Sequence, residues 1–500
     1  MAGFKKIPQP LTVLIIVTII AALASWLLPA GAYDKLAYNE GTFKLSTTSG
    51  NKTLPFTQHT LDSLHILIKL EKFQSGDIRK PVAVPGTYHQ LPPNRQGLIS
   101  LAEAPVKGIN DAADIIFFLL IIGGFISVFE ETGAMARGMI YLSHRMKGKE
   151  DWLIISITFF FAFFGSADGM EEEAMIFYPI LVPLLLAAGY DLLVPVAVIF
   201  AGTNVGRIAS FCNPFSTIIA SNAAGINWKD GLYERIIVFV VVITVSIGYI
   251  VRYAQKVKKD PKASFVYRFD GHAASPYPGI RVTEVESNAL GFKNSLLIIL
   301  FISTILVMIG GVVFLDWWLL EMSVVFLVSS VLIAVIAKMP EKLFIDRFVK
   351  GMQSLLSVLL IIGVARGVTI VLNDGRLTDT ILYYSANLVG TMPPVLFIVV
   401  LLLLYMMLSL FISSTSGMAM LTMPIFGSLA LIVGVPGREI VNAYIFGMGI
   451  TSFLTPTGIV LPSLALANVS IKAWLRFSYP LLIMLFVICA VFLITGVLSP

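Results

Sequence analysis

Four acidic residues interrupt one of the most apolar stretches of the sequence. Asp168, Glu171, Glu172 and Glu173 stand between two apolar arms inside residues 152–190, and each arm is shorter than the roughly 20 residues with which a helix crosses a bilayer. Backbone that is not helical is tolerated at membrane depth only where protein or a water-filled cavity surrounds it, and carboxylates at that depth usually mark a functional site. The stretch therefore predicts a re-entrant hairpin with an acidic tip. The alternative is two short helices joined by a loop in water.

Arg207 is a basic residue inside another predicted span, residues 192–220. An arginine within a span costs at least about 2.5 kcal/mol on insertion scales, so it should have a partner, either one of the four acids or the carboxylate of a substrate. If the span boundary shifts by one turn, its charged end instead reaches the membrane interface. The acids, if buried together, could not all ionise. At least one of them should bind a proton, pair with Arg207 or face a cation.

The pattern around the acidic tip occurs twice. Residues 411–424 repeat the order of residues 164–179, with Gly417-Met418 matching Gly169-Met170 but without the three glutamates. Two further matches occur in the same order, roughly 240 residues apart: Ser210 to Pro214 with Ser452 to Pro456, and Ile121 to Gly123 with Ile361 to Gly363. Together these matches predict a duplicated half.

The composition places the chain in a membrane. Hydrophobic residues make up 57% and charged residues 13%, with a mean hydropathy of +0.87, whereas soluble domains have about 25% charged residues. No basic stripe interleaved with aromatic residues indicates nucleic-acid binding. The two cysteines cannot form a metal cluster, and the five histidines fall in predicted loops. No phosphate-binding motif indicates ATP, and we predict neither enzymatic activity nor a bound metal or cofactor.

Lysine and arginine in short loops set the predicted orientation. The fold class is an all-α polytopic membrane protein with about nine transmembrane helices plus two re-entrant hairpins in an inverted repeat, with the N-terminus inside and the C-terminus outside. The predicted units are a first transmembrane helix (1–30), an external polar loop or small subdomain (31–110), a first repeat (111–255) with hairpin 152–190, a cytoplasmic linker (256–294), two scaffold helices (295–340), and a second repeat (341–500) with hairpin 394–433.

Each half also contains a span that we predict to be broken, residues 192–220 and 442–468. Pro214 lacks a backbone donor and disfavours helix at Asn213, so the chain should unwind there and expose carbonyls and a helix N-terminus. Helix N-termini suit a carboxylate, and free carbonyls suit a cation. Hydroxyls at the tips and breaks serve either this site or helix capping and packing. The predicted substrate- or ion-binding residues are Ser166, Asp168, Glu171, Glu172, Asn204, Arg207, Asn213, Ser216, Thr217, Ser414, Thr415, Ser416, Thr455 and Thr457.

Four motifs resemble a known family. GSADGMEEEAMIFYP, NPFST, GVARGVTIVLNDGRLTDTI and TSFLTPTGIVLPSLALANV are similar to sequences of the YfcC and DcuC-type carriers, described variously as C4-dicarboxylate or basic amino-acid antiporters of the ion transporter superfamily. The resemblance implies an elevator mechanism and a homodimer. The Ser-Asn-Thr triplets of divalent-anion symporters are replaced by Ser166-Ala167-Asp168 and Ser414-Thr415-Ser416. This departure weakens a sodium-coupled dicarboxylate assignment.

These observations predict a secondary active transporter of small carboxylate-bearing metabolites in the bacterial inner membrane. An acidic tip beside Arg207 suits a zwitterion or a cation better than a dianion, so we expect an amino acid, a basic one first. A C4-dicarboxylate carrier, a Na⁺/H⁺ antiporter and a channel are the alternatives. The expected partners are the substrate and the lipid bilayer, and coupling is to Na⁺ or H⁺.

Overall fold

The computed structural model describes residues 10–39, 41–48, 50–74, 78, 81–135, 137–138, 141, 149–167, 169–270, 276, 291–315, 317, 319–412 and 414–498. Asp168, a predicted site residue, lies outside this set, as do residues 271–275 and 277–290 of the predicted linker. Several apolar stretches fold into helices whose ends lie within a few residues of the predicted ones, whereas the spans predicted at 233–250 and 481–498 are the longer helices Leu232–Lys259 and Ile471–Leu498. The span predicted at 112–130 is the helix Ala113–Glu131, and the span predicted at 354–372 is Leu356–Asp374.

The first half contains a hairpin and a broken helix. Its hairpin consists of α6, a loop, a 3-10 turn and α7; its broken helix consists of α8, α9 and α10 with π-helical turns between them. The helices of this half are α1 (Pro10–Leu27), α2 (Gln58–Ser63), α3 (Leu70–Gln74), α4 (Leu98–Asp111), α5 (Ala113–Glu131), α6 (Glu150–Ala167), α7 (Tyr178–Ala187), α8 (Leu193–Val196), α9 (Gly202–Ile208), α10 (Ile219–Ala223), α11 (Leu232–Lys259) and α12 (Phe265–Asp270).

The second half repeats this order. A second hairpin, α18 with α19, precedes a second broken helix, α20 with α21. The helices of this half are α13 (Phe292–Leu315), α14 (Leu319–Ala337), α15 (Glu341–Ser354), α16 (Leu356–Asp374), α17 (Thr378–Val389), α18 (Pro394–Phe411), α19 (Thr415–Val433), α20 (Gly437–Ser452), α21 (Val460–Leu466) and α22 (Ile471–Leu498). The duplicated order agrees with the repeat seen in the sequence, and the opposite orientation of the halves stays a prediction.

In two places a helix of one half packs on a helix of the other half. Helix α4 packs on α16, and α15 packs on α5, so each short helix of one half lies along a long helix of the other. The contacts are backbone to backbone at glycines. A Cβ built on Gly108 would stand 2.0 Å from the carbonyl oxygen of Gly363, and one on Gly351 would stand 2.1 Å from that of Gly123. We call α4, α5, α14, α15 and α16 the scaffold.

The stretch between α1 and α4 is a small β-subdomain (residues 30–91). Its strands are β1 (Ala30–Ala32), β2 (Lys35–Asn39), β3 (Thr42–Thr47), β4 (Gly50–Pro55), β5 (Val82–Ala83) and β6 (His89–Leu91). They form an antiparallel sheet in the order β4-β3-β2-β5 and a separate β1-β6 pair. Phe43 is fully buried under the larger sheet and packs edge-on against Phe73, with ring centroids 5.1 Å apart. The predicted all-α class is therefore corrected by six short strands.

The β-subdomain rests on two different parts of the protein. Asp379 of α17 accepts a hydrogen bond from the Tyr33 amide at 3.2 Å and lies 3.5 Å from the Lys35 ammonium. On the other side, β5 packs against α19, and a Cβ on Gly225, just after α10, would stand 2.5 Å from the Leu67 carbonyl oxygen. The subdomain therefore bridges α17 and the second hairpin.

By length and apolarity alone, fewer helices of the described chain could cross a bilayer than the nine predicted. Six helices in the described ranges are long and apolar enough to cross a bilayer, or seven if α15 and α16, bent by 42°, form one span. Four shorter apolar helices accompany them, among them Leu11–Leu27 and Leu193–Ile208. Two of the six, α6 and α18, are the first arms of the hairpins, so nine spans plus two re-entrant hairpins stays a prediction.

Candidate functional site

The first broken helix unwinds where proline predicts it. Helix α9 ends at Ile208, and the next helical turn begins at Pro214. Asn213 has a non-helical backbone (φ −57°, ψ 122°), and its side-chain oxygen accepts hydrogen bonds from the amides of Phe215 and Ser216 at 2.7 and 3.1 Å. Asn213 is thus the N-cap of the second part of the helix, which is the capping alternative of the sequence analysis.

The tip of the first hairpin is fastened to this break through hydroxyl groups. Ser166, fully buried at the end of α6, donates to the Ala209 carbonyl at 2.7 Å and accepts from the Phe211 amide at 3.2 Å. Ser210 donates to the Ser166 carbonyl at 3.2 Å. Thr217 donates to the Ser210 carbonyl at 2.8 Å. Ser216 bonds to Ser210 at 3.1 Å. Ser166 and Ser210, of which only Ser166 was predicted, thus tie the hairpin to the break, whereas Ser216 and Thr217 hold the break together.

A glycine allows the chain to turn after the tip. Gly169 has φ +85°, and a Cβ there would stand 2.3 Å from the side-chain nitrogen of Asn213. Its left-handed backbone and the missing side chain let the loop press against the break. The loop then directs Glu171 and Glu172 away from the hydroxyl ties and toward the second half of the protein.

The second tip begins at Ser414, whose hydroxyl accepts from the Gly417 amide at 3.2 Å and caps α19. Thr415 holds two partners: its hydroxyl lies 3.3 Å from Nη2 of Arg207, and its carbonyl accepts from the Tyr444 hydroxyl at 2.8 Å. Ser416 lies on the first turn of α19.

Arg207 is paired, and its partner is Glu171. Nη1 of Arg207 donates to Oε1 of Glu171 and to the side-chain oxygen of Asn204 at 3.3 Å. The two side chains are only 10% and 20% exposed. The Ser452 hydroxyl also donates to the side-chain oxygen of Asn204. Because Thr415 and Ser452 belong to the second half, Arg207 and Asn204 join the two halves.

At the second break, between Ser452 and Val460, threonines bond to backbone. Thr455 donates to the Thr451 carbonyl at 2.9 Å, and Thr457 lies 3.5 Å from the Leu410 carbonyl. Both are buried and both line a cavity. Each therefore bonds to the backbone and is also placed to contact a ligand.

One central cavity collects part of the predicted set. It has a volume of about 70 Å³, which holds a few water molecules. Its lining residues are Ile115, Glu171, Glu172, Arg207, Ile362, Ala365, Arg366, Ser409, Met448, Ser452, Thr455, Thr457, Gly458 and Ile459. The scaffold supplies one wall through α5 and α16, and the hairpins and broken helices supply the other. Of the predicted residues, Glu171, Glu172, Arg207, Thr455 and Thr457 line the cavity, whereas Ser166, Asn213, Ser216, Thr217 and Ser414 hold the surrounding backbone.

Arg366 is the residue that the sequence analysis missed. It projects into the cavity from α16, and its Nε lies 4.0 Å from a carboxylate oxygen of Asp111 on α4. The signal was present, since an arginine between apolar residues of a predicted span carries the same insertion cost as Arg207. Ser452 was also overlooked, although it is the counterpart of Ser210 in the repeat.

The cavity carries balanced charge: Glu171 and Glu172 face Arg207 and Arg366. Glu172 makes no ion pair with any residue that the structure describes, whereas Glu171 is engaged by Arg207. Within the described ranges, no group of three or more histidine, cysteine, aspartate or glutamate side chains is placed to hold a metal ion. The arrangement can bind a ligand that bears charges of both signs.

Paired hairpins and broken helices around a charged cavity in a membrane protein are the architecture of secondary transporters. The chain belongs to the DcuC family, described as C4-dicarboxylate anaerobic carriers, whose family model matches residues 7–498.

Two curated relatives extend over nearly the whole chain. An uncharacterized protein of Haemophilus influenzae is 36% identical over 505 residues, covering 98% of this chain and 97% of the relative. A protein of Escherichia coli K12 named "Putative basic amino acid antiporter YfcC" is 27% identical over 510 residues, covering 97% and 96%.

Two solved structures are similar at a distance. Neisseria gonorrhoeae MtrF, described with a class of antimetabolite efflux pumps, has a TM-score of 0.41 at 14% identity and covers 99% of this chain and 96% of its own. The Alcanivorax borkumensis YdaH transporter has a TM-score of 0.40 at 15% identity, with 98% of each chain covered. Likeness at this level carries no argument about this chain.

Proposed function

We propose that this secondary transporter carries amino acids across the bacterial cytoplasmic membrane, those with a basic side chain first. The observation that carries the proposal is the mixed charge of the central cavity, where the Arg207–Glu171 pair lies beside Glu172, a carboxylate without an ion-pair partner among the described residues. An α-amino acid brings a carboxylate and an ammonium group on adjacent atoms, which matches neighbouring groups of both signs.

Each cavity group has a role in this proposal. Arg207 binds the substrate carboxylate, because a guanidinium presents a planar set of donors that matches a carboxylate. Glu172 accepts the ammonium group or the cationic end of the substrate side chain. Thr455 and Thr457 lie at the unwound second break, where their hydroxyls and nearby carbonyls orient the ligand.

A C4-dicarboxylate is the second candidate substrate. The position of Arg366 in the cavity lining favours it. Arg366 supplies a second guanidinium to the same cavity as Arg207, so each could bind one end of a dianion. The family description also favours this candidate. Against it stands the acidic loop, since Glu171 and Glu172 would have to be neutralised before a dianion could enter.

The deciding experiment is uptake by the purified protein in proteoliposomes. Labelled arginine, ornithine, aspartate and succinate are each supplied outside, with and without unlabelled counter-substrate inside. Faster uptake of arginine and ornithine against internal basic amino acid supports the proposal. Uptake restricted to succinate and aspartate would establish the dicarboxylate carrier instead.

The charge-neutral variant Arg207→Gln tests the assigned site within the same assay. We expect the KM for the preferred carboxylate to rise by about tenfold to a hundredfold, because a hydrogen bond to a charged group contributes about 1.5–3 kcal/mol. An unchanged KM would make Arg207 a structural residue. Arg376→Gln, at the distant turn after α16, is the matched control.

We further propose that the hairpins and broken helices slide against the scaffold in an elevator movement, that the chain forms a homodimer, and that H⁺ or Na⁺ drives transport. The position of the cavity between the scaffold and the two hairpins supports the movement. A disulfide between cysteines introduced at Ala365 and Ser452, one on each wall, should stop uptake until it is reduced. Ion conduction that persists with the crosslink formed would point to a channel.

A further inference from the structure

We propose that Glu171 is an internal substitute for the substrate carboxylate, which occupies Arg207 whenever the carrier is empty. The inference rests on the proposed function and goes beyond it, because it concerns the unloaded protein. It explains how a binding site that contains an arginine can move between the two sides of the membrane when no substrate is bound.

The first observation is how Glu171 and Arg207 are held. The Glu171 carboxylate binds Nη1 of Arg207, while Nη2 is held by the Thr415 hydroxyl at 3.3 Å. Glu171 reaches this position from a loop, whereas Arg207 is fixed on α9 by Asn204. A carboxylate on a loop can leave and return while the guanidinium stays in place.

The second observation concerns the charged and titratable groups around the Arg207–Glu171 pair. The groups that face this pair are Glu172 of the same loop, Arg366 of α16, and the Tyr444 hydroxyl of α20, which is directed to the Thr415 carbonyl. Glu173 accepts a hydrogen bond from the Glu171 amide at 3.1 Å and so shapes the loop. Within the described chain, no other carboxylate binds Arg207. Without Glu171, Arg207 would lose the one ion-pair partner that it has among the described residues, in a nearly buried site.

The substrate carboxylate and Glu171 compete for Arg207. A substrate carboxylate is the same chemical group as the side chain of Glu171, so the two contend for one guanidinium. When substrate binds, Glu171 is displaced and faces the ammonium group that arrives with it. When substrate leaves, Glu171 returns and restores the ion pair. The loaded and the empty carrier therefore both keep Arg207 neutralised, and both can reorient.

The prediction separates two modes of transport. Exchange needs only the loaded carrier to cross, whereas net uptake into vesicles without internal substrate also needs the empty carrier to return. In the variant Glu171→Gln, exchange of labelled arginine should persist, because only the loaded carrier has to cross and the substrate carboxylate then neutralises Arg207. Net uptake should fall at least about tenfold relative to exchange, because the empty carrier would carry an unpaired Arg207.

Glu172→Gln is the matched comparison, since it removes the same charge from the same cavity but leaves the ion pair intact. It should reduce exchange and net uptake in equal proportion. Glu171→Asp provides a second variant if Glu171→Gln does not fold; its shorter side chain should lower the ratio of net uptake to exchange by an intermediate amount. Both modes are measured with labelled arginine and with labelled succinate at a clamped membrane potential.

The outcomes are distinct. A ratio of net uptake to exchange that matches wild type in Glu171→Gln, or in Glu171→Asp if only that variant folds, would overturn the inference while leaving the transporter assignment intact. Wild-type protein that exchanges neither arginine nor succinate would overturn the proposed function, and the inference with it.

Discussion

Gly351 of α15 lies against the carbonyl oxygen of Gly123 of α5 so closely that a Cβ on Gly351 would stand 2.1 Å away. The same relationship joins Gly108 to Gly363, at 2.0 Å. Since Gly123 and Gly363 occupy matching positions in the repeat, the scaffold contains one contact built twice. Small residues permit this approach, and close packing is what holds helices together in a bilayer, where the hydrophobic effect does not.

The variant Gly351→Ala should therefore lower the temperature of thermal unfolding in detergent. The added methyl group meets backbone that cannot yield, and overpacking costs about 1–3 kcal/mol. This is at least as large as the roughly 1 kcal/mol that alanine gains over glycine in a helix, and with backbone only 2.1 Å away we expect the upper part of the range. Gly248→Ala is the control, because a Cβ there has nothing within 4 Å. Equal melting temperatures for the two variants would contradict the close contact.

Arg366→Gln should discriminate between the two substrate candidates. If Arg366 binds the second carboxylate of a dianion, the KM for succinate exchange should rise by about tenfold to a hundredfold, following a loss of about 1.5–3 kcal/mol. Exchange of arginine, which has one carboxylate, should change much less. Equal losses for both substrates would assign Arg366 to packing or to its contact with Asp111.

Cys212 should react with N-ethylmaleimide, and Cys489 should not. Cys212 lies at the unwound first break and is partly exposed, whereas Cys489 is fully buried in α22. Mass spectrometry of the folded protein should show one adduct, and Cys212→Ala should show none. An adduct on Cys489 would mean that the packing of α22 differs from that described.

Asp191→Ala should release residues 260–267 from the body of the protein. The carboxylate accepts hydrogen bonds from the hydroxyls of Tyr253 and Ser264 at 2.7 and 2.6 Å, and it caps α8. Loss of one partner leaves buried donors unsatisfied, at about 1–3 kcal/mol each. Limited trypsin digestion should cut after Lys262 faster than in wild type. The exposed Asp230→Ala serves as control, and identical digestion rates would refute the tie.

The apolar architecture could be predicted from the sequence because it is local. A run of apolar residues indicates a helix, and Pro214 sets the position of a break, so most of these elements lie within a few residues of their predicted positions, although α11 and α22 extend well into polar sequence. The pairing of Arg207 with one of the nearby glutamates also followed from the energetic cost of a buried charge. In each case the physical rule depends on neighbours along the chain.

The features that were missed depend on neighbours in space. Helix α4 contains Glu103, Pro105 and Lys107 and was assigned to a polar loop, because its pairing with α16 cannot be seen in its own composition. The hydroxyls of Ser166 and Thr217 could equally serve a ligand or the backbone, and only the fold shows their backbone partners. Arg366 is the exception, because an arginine between apolar residues of a predicted span is a local signal.

The β-subdomain has a consequence for control of the protein. Asp379 fastens it to α17 by charge, whereas β5 and Leu67 meet α19 and Gly225 without a salt bridge among the described residues. In the elevator movement that we propose, the second hairpin would therefore move past the β-subdomain without breaking an ion pair among the described residues. A ligand that bound the β-subdomain and α19 together would hold the second hairpin in place and so stop the proposed movement, without resembling the transported substrate.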